Sequence, residues 1–551
     1  MNWDPSADLD KLVAAFDVRD KAAASDLCDD LVRRIYANAV PYPTNSAKKL
    51  LSILRRKRCF AQMEKLADAF IQTGAGSSSV RRLYAQALLD QGHFTAALEV
   101  LEKLIADLKD TDPFESAEAQ GLLGRAYKQL YVNAHEPGVQ RNGKWLDEAA
   151  AFYYAPYKAN PDAFAWHGIN VVAIAHRAVR DNVALQTPGI PLPTTLAQGI
   201  LEHIEQKDAV DSATMWDYGT AAEASVALGR TKEGLRWIRQ YTKNQTADAF
   251  EFGSTLRQFE EIWDLPSNAD PERRADEEAI LSLLRATILE REGGTVKQTA
   301  EGVRSELREL AQADLQRVFG ADRFLSLDWY RTGLERCACV ARISRRMSSR
   351  GAGTGFLLNG KNIHASLGDE LYVLTNSHVV SPTPEVSFAL LPEEAEVTFE
   401  SLPGANECRW AIKKVVFTSP IRELDATLLQ LDRPIEGVTG YPIAPSLPRL
   451  DSERRTYIIG HPQGGGLSFS MQDNLLLDWD EHRVHYRTPT EPGSSGSPVF
   501  DDQWRLIALH HAGKADMRKL HGQLGTYEAN EGINIEAIVA AIRAALDATQ
   551  S

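Results

Sequence analysis

The stretch "EPGSSGSPVF" at residues 491–500 sets three serines, Ser494, Ser495 and Ser497, among two glycines and two prolines. Gly, Ser and Pro dominate ordinary turns, each for its own backbone reason, so on composition this is a turn leading into a short apolar strand. Its company makes it more than that. "LTNSHVV" (374–380) ends a β-rich run and presents His378, and "ELDATLLQL" (423–431) sets Asp425 just before an apolar strand. A serine hydroxyl becomes a useful nucleophile only when a base takes its proton and a third group orients the base. The chain supplies these three residue types in the order His, Asp, Ser.

The surroundings of this stretch read as all-β. From about residue 336, runs such as "CACVARISRR", "GTGFLLNG", "LYVLTNSHVV", "EVTFESL", "AIKKVVF", "ATLLQL", "RTYIIG", "RVHYRT", "SPVFD" and "LIALHHAG" alternate with Gly, Pro, Asn and Asp. That pattern predicts a sandwich or barrel, closed by an amphipathic helix over "NIEAIVAAIRAALDA" (534–548). "SRRMSSRGAG" (344–353) reads as a hairpin turn.

The preceding residues read as helix after helix. In "SVRRLYAQALLDQGHFTAALEVLEKLIADL" (79–108), Ala85, Leu88, Gly92, Phe94 and Ala97 follow the spacing of a tetratricopeptide (TPR) repeat. A second, stretched copy pairs Gly124 and Tyr127 with Ala149, Tyr153 and Pro161 across the insert "NAHEPGVQRNG". A third, "WDYGTAAEASVALGRTKEGLRWIRQYTKN" (216–244), places Gly229 and Gly234 similarly. These predict a short solenoid. The stretch from Gly124 to about Trp263 also resembles the TPR-like region beside the kinase domain of apoptosis-signal-regulating kinases, through "GRAYKQLY", "HGINVVAIA" and "STLRQFEEIW". The expected organisation is an N-terminal helical region at 1–75, TPR-like repeats at 76–265, a helical connector at 266–335 and the β domain at 336–551.

Composition narrows the function. A net charge of −14 over 551 residues argues against generic nucleic-acid binding, which needs a basic face. No apolar run suits a bilayer span, and the acidic start "MNWDPSADLD" lacks a signal-peptide apolar region. Five cysteines, an odd and sparse set, fit a reducing cytosol. The expectations are therefore a cytoplasmic protein with no membrane, nucleic-acid, metal or cofactor partner. "CAC" (337–339) is expected to occupy alternate strand positions. His482, His485, His510 and His511 lack partners at metal-ligand spacing. "RRKR" (55–58) reads as a solvated helix face, and "GHPQGGG" (460–466) as a surface loop rather than a phosphate cradle.

Residues 336–551 resemble the trypsin-like, chymotrypsin-fold serine peptidases, nearest to the bacterial glutamyl endopeptidase branch. "TGFLL" before the His strand, "TNSH", Asp-Ala before "LL" and Gly-x-Ser-Gly-Ser-Pro-Val carry the likeness. It implies a double β-barrel in which Ser495 is the nucleophile, His378 the general base and Asp425 its orienting carboxylate. It also implies an oxyanion hole from the N–H groups of Gly493 and Ser495. The α/β-hydrolase elbow fails because position 497 is Ser and no strand–turn–helix follows. Two departures matter. No cysteine flanks His378, and Ser494 stands where digestive members carry the Asp that pairs with a new N-terminus, so control is expected from the helical half.

Six residues before Ser495 stands Pro489, which removes the usual basis for Arg/Lys preference. Thr490 and His510 match the glutamyl endopeptidase pocket and point to cleavage after Glu or Asp, through a protonated or N–H-donating imidazole. Alternatives are that His510 only packs beneath the pocket, or that Glu491 favours a basic side chain. The strand His511-Ala512-Gly513 is expected to pair with the substrate backbone. The leading reading is a TPR–peptidase fusion. Its helical region would bind a protein partner or activator, in a manner analogous to bacterial stress or antiviral cascades. The rivals are a pseudoprotease scaffold and a broad quality-control protease.

Overall fold

The computed structural model describes residues 3–17, 21–108, 111–134, 141–244, 247–291, 301–304, 306–307, 321–348, 350–402, 409–450, 455–470, 475–487 and 493–550. The chain forms two units, residues 1–292 and 293–551.

The first unit is built from helical hairpins. Helices Ser78–Asp90 and Phe94–Leu108 meet at a turn where Gly92 takes φ +84°, a conformation that costs a glycine little. Pro113–Asn133 pairs with Gly143–Ala159, and Met215–Ala227 with Thr231–Thr242, the last turn using Gly229 at φ +70°. Helix starts carry their own caps. The Asp112 side chain accepts from Glu115 N at 3.0 Å ahead of Pro113, and Thr214 forms a capping box with Asp217. Small residues permit the close helix contacts: a Cβ on Gly124 would lie 2.6 Å from the Tyr153 ring, and one on Gly234 would lie 3.3 Å from Ala222 O. The three predicted hairpins are thus present at the predicted glycines.

Two expectations change. The charged stretch after Pro266 begins with helix Pro271–Glu290, which packs against Thr231–Thr242 and Ala249–Arg257 and buries Ile280, Leu283, Leu284 and Ile288. The boundary between the units therefore falls inside the stretch read as a connector. Abundant Glu and Arg obscured that apolar face. "RRKR" is not a uniformly solvated face either: only Arg56 is exposed, and the Arg55 guanidinium lies 5.4 Å from the Phe250 ring centroid.

The second unit contains two β layers. β1 (Val340–Arg345), β2 (Gly351–Asn359), β3 (Leu371–Thr375), β4 (Ala395–Thr398), β5 (Arg409–Ser419) and β6 (Ala426–Leu431) close into a barrel ordered β1-β2-β3-β6-β5-β4. β7 (Tyr457–Gly460), β8 (Ser468–Ser470), β9 (Leu476–Trp479), β10 (Arg483–Tyr486), β11 (Pro498–Phe500), β12 (Leu506–Arg518) and β13 (Thr526–Asn534) form a sheet ordered β8-β7-β11-β12-β13-β10-β9. Its edge strands, β8 and β9, follow one another in sequence. β12 bulges between His510 and Ala512, which oppose the consecutive residues Gly532 and Glu531, so His511 is the extra residue.

"CAC" is a 3₁₀ turn rather than a strand, because helix Ala321–Arg336 runs straight into it. Both thiols are buried, and desolvation pushes the Cys339 thiol up to about 12. The C-terminal helix, Ile535–Gln550, leaves β13 and returns to the first barrel. There Arg543 Nε donates to Ile363 O at 2.6 Å and Asp547 meets His364 at 3.1 Å. Among the described residues, no helix is long and apolar enough to cross a membrane.

The packing predicts opposite outcomes for two glycines. Gly124→Val should lower the stability of the helical transition by about 1–3 kcal/mol through overpacking. Gly199→Ala sits at an exposed position of helix Pro193–Ala209 with nothing within 4 Å of the new Cβ, and should raise it by about 0.5–1 kcal/mol. Denaturant unfolding followed by helical circular dichroism reads both, and equal effects would contradict this packing.

Candidate active site

The site is assembled around a carboxylate. Asp425 sits in the turn before β6 at φ +42°, and its side chain is fully buried. A buried carboxylate is costly unless its lone pairs are met, and here four donors meet them. Oδ1 accepts from Ser377 Oγ at 2.7 Å and from His378 N at 3.0 Å. Oδ2 accepts from His378 Nδ1 at 2.5 Å and from His511 Nδ1 at 2.7 Å. Asn376 Nδ2 holds the Asp425 backbone carbonyl at 2.9 Å. Burial pushes the Asp425 carboxyl up, but the hydrogen bonds from His378 and His511 outweigh it and hold the group well below the usual carboxylate range. With Nδ1 of His378 engaged as a donor, Nε2 is the nitrogen left to act as a base.

The turn before β11 supplies the hydroxyl. Ser494 and Ser497 are buried, and Ser495 alone of the three is partly exposed. Two backbone conformations shape the turn: Gly493 has φ +97° and Gly496 φ +87°. A Cβ on Gly493 would lie 2.6 Å from Gly464 N, in the "GHPQGGG" loop, and one on Gly496 would fall 1.9 Å from Thr354 O. Thr354 of β2 ties this turn to the barrel. Its N–H donates to Ser495 O at 2.8 Å, and its Oγ1 donates to Gly493 O at 3.1 Å. Among the described residues, the N–H groups of Gly493 and Ser495 donate to no protein acceptor, and no hydrogen bond joins Ser495 to His378. Two unengaged amides beside a serine can receive an oxyanion.

The remaining predicted residues divide. Thr490 and Glu491 lie outside the described residues. His510 is buried, and its Nδ1 lies 2.7 Å from the Tyr486 hydroxyl. Burial, then the neighbouring His511 and His378, push the His510 imidazole down to about 3, so a protonated ring is disfavoured there. Gly513 lies on β12, paired with Asn530 on one side. The His511 side chain turns to Asp425, a contact that the sequence reading missed. His378, Asp425 and His511 bring one ligand atom each within 4.8 Å of one another. Both nitrogens, however, stand at hydrogen-bond distance from a single oxygen, tighter than the spacing of ligands around a zinc ion.

Residues 353–509 match the family model of the trypsin-like peptidase domain. The second unit carries a trypsin-like serine peptidase domain. Residues 57–175 match the Tetratricopeptide Repeats-Sensor model, so the first unit contains a TPR-type sensor region. The Sinorhizobium fredii protein y4fB is 26% identical over 226 residues, 37% of this chain and 32% of y4fB, so the match spans about a third of that relative. Rv3671c from M. tuberculosis, in an inactive form, is 16% identical with a TM-score of 0.26, covering 39% of this chain and 90% of that one. A Glu endopeptidase in complex with MPD is 18% identical with a TM-score of 0.26, covering 37% and 88%. A serine endoprotease from Yersinia pestis is 14% identical with a TM-score of 0.26, covering 38% and 63%. The peptidase assignment rests on the family model.

The buried histidines of the peptidase unit set its acid sensitivity. An unfolded histidine binds a proton near pH 6.5. In the folded unit, burial holds His461 neutral down to about 4 and His510 down to about 3. Within that window the unfolded chain binds more protons, so stability falls as pH falls. Asp425, whose folded value is depressed, contributes fully above the ordinary carboxylate range at about pH 4 and loses its contribution below it. Calorimetry should show the transition of this unit moving to lower temperature from pH 6.5 to 4, and a flat profile would contradict the burial of these rings.

Proposed function

We propose that the chain is a regulated serine endopeptidase in which Ser495, His378 and Asp425 act together. The observation that carries this is the partly exposed Ser495, in a glycine-shaped turn tied through Thr354 to the strand pair from which His378 emerges, together with the His378 imidazole, whose Nδ1 is locked onto a buried carboxylate. In this reading Ser495 Oγ attacks the acyl carbon while His378 Nε2 accepts its proton and later returns it to the leaving amine. Asp425 keeps the imidazole in the required tautomer and stabilises the imidazolium. The N–H groups of Gly493 and Ser495 receive the oxyanion. The Ser495–His378 hydrogen bond forms when substrate is engaged, as catalytic hydrogen bonds are often not made in free enzymes.

The substrate reading favours Glu or Asp before the scissile bond, held by a neutral N–H rather than by an imidazolium. If the Tyr486 hydroxyl donates to His510 Nδ1, the proton sits on Nε2 and that nitrogen is a donor. Ala512 and Gly513 pair with the substrate backbone. The sensor region binds a protein partner that governs cleavage. A cytosolic place in a stress or antiviral cascade fits this organisation by analogy.

A proteome-derived peptide library, digested by the full chain with cleavage sites read by mass spectrometry, tests the proposal. Cuts after Glu or Asp should appear, vanish in Ser495→Ala, and slow by about 10⁴-fold in Asp425→Asn. Ser495-dependent cuts after Arg or Lys would keep the peptidase and overturn the acidic preference. A complete absence of Ser495-dependent cuts, with and without added cell extract, would sink the reading.

A further inference from the structure

The Asp425 carboxylate is served by two imidazoles, and the reaction described above needs only one. β12 carries consecutive histidines, and regular alternation would send their side chains to opposite faces. The bulge at His511 re-aims its ring, as bulges beside active sites do. His511 Nδ1 then reaches the same Oδ2 that His378 Nδ1 holds, and the two ring centroids stand 6.1 Å apart at 71°. The other ring nitrogen of His511, Nε2, faces Glu531 Oε1 at 3.8 Å. Glu531 is anchored in turn by Arg483 and by His485 Nε2 at 3.0 Å, and His485 Nδ1 meets the Tyr527 hydroxyl at 2.7 Å. The groups facing His511 are therefore Asp425 and His378 from the barrel, and Glu531 and His510 from its own sheet.

We propose that His511 is a positioning residue for the peptidase reaction: its Nδ1–H tethers the same Asp425 oxygen that His378 Nδ1 holds and takes a share of the carboxylate's charge. The proposal rests on the assignment of Ser495, His378 and Asp425 as the reacting set. Two consequences follow. The carboxylate rotamer is held from both the barrel and the second sheet, which keeps the His378 ring aligned. A shared oxygen also gives His378 less negative charge than an unshared one would. Removing His511 should therefore slow the serine and move the pH at which it reacts half-maximally upward.

The test uses a fluorophosphonate probe on the full chain, so that no natural substrate is needed. Ser495 Oγ displaces fluoride from phosphorus, forming the O–P bond as the P–F bond breaks, while His378 Nε2 takes the hydroxyl proton. Labelling rates are measured across pH for the native chain, His511→Ala, His511→Asn and Ser495→Ala. His511→Ala should label about tenfold more slowly, the loss expected for a hydrogen bond to a charged group, with its pH midpoint raised by roughly one unit. His511→Asn, which keeps one N–H donor towards Asp425, should recover most of the rate and guards against a folding artefact in the alanine variant. A native rate and an unchanged midpoint in His511→Ala, with labelling still lost in Ser495→Ala, would overturn the role of His511 and leave the reacting set intact. Labelling that survives Ser495→Ala, or a native chain that never labels, would overturn the underlying assignment and this proposal with it.

Discussion

One of the buried carboxylates of the second unit, Asp425, organises its candidate site. Withdrawing a carboxylate from water costs several kcal/mol unless the protein replaces the lost hydration, and Asp425 obtains that replacement from segments far apart in sequence. The loop after β3 supplies Ser377 and the His378 backbone and ring, and the bulge of β12 supplies His511. The backbone of Asp425 is also in the left-handed region, where a non-glycine residue persists only when its surroundings over-determine it. Asn376 on its carbonyl and Pro420 O on its N–H provide that restraint. Strain and charge are thus stored at one residue and balanced by contacts that also aim the imidazole.

The hydroxyl side of the site depends on close backbone approach instead. Gly493 and Gly496 leave no room for a side chain, because the "GHPQGGG" loop presses on one and Thr354 on the other. Thr354 is buried, and its side chain and backbone bond to residues 493 and 495 while Thr375 Oγ1 donates to its carbonyl. The turn that carries Ser495 is therefore registered against the same β2–β3 pair from which His378 emerges. The barrel contributes His378 and Asp425, the second sheet contributes the turn with Ser495, and Thr354 links the two.

Much of this was legible in the sequence, for a physical reason. Glycines at tight turns and a His, an Asp and a Ser at strand ends are local signals, and local signals survive without coordinates. Gly92, Gly124, Gly229 and most strands of the second unit were read in this way. What escaped was either relational or masked by composition. His511 looked like a strand residue, because a bulge depends on the partner strand. Thr354 sat unremarked inside "TGFLL", although a threonine flanked by two glycines signals close packing. The strand "TYEANEGIN" is too polar to announce itself, since β13 buries Asn530, Glu531 and Asn534 along with Ala529 and Ile533. Helix Pro271–Glu290 hid its buried leucines among charges, and the charge on His510 depended on a burial that no motif records.

The return of the C-terminal helix has a mechanical consequence. The chain builds the first barrel, then the second sheet, and finally sends its last helix back to Ile363 and His364 of the first. This terminal clasp joins the two halves in addition to the linking chain and the contacts at the site, where Thr354 meets residues 493 and 495 and Asp425 meets His511. A motion that parted them would have to stretch the clasp along with the contacts at the site. The clasp restrains the two halves as a bolt restrains a pair of jaws.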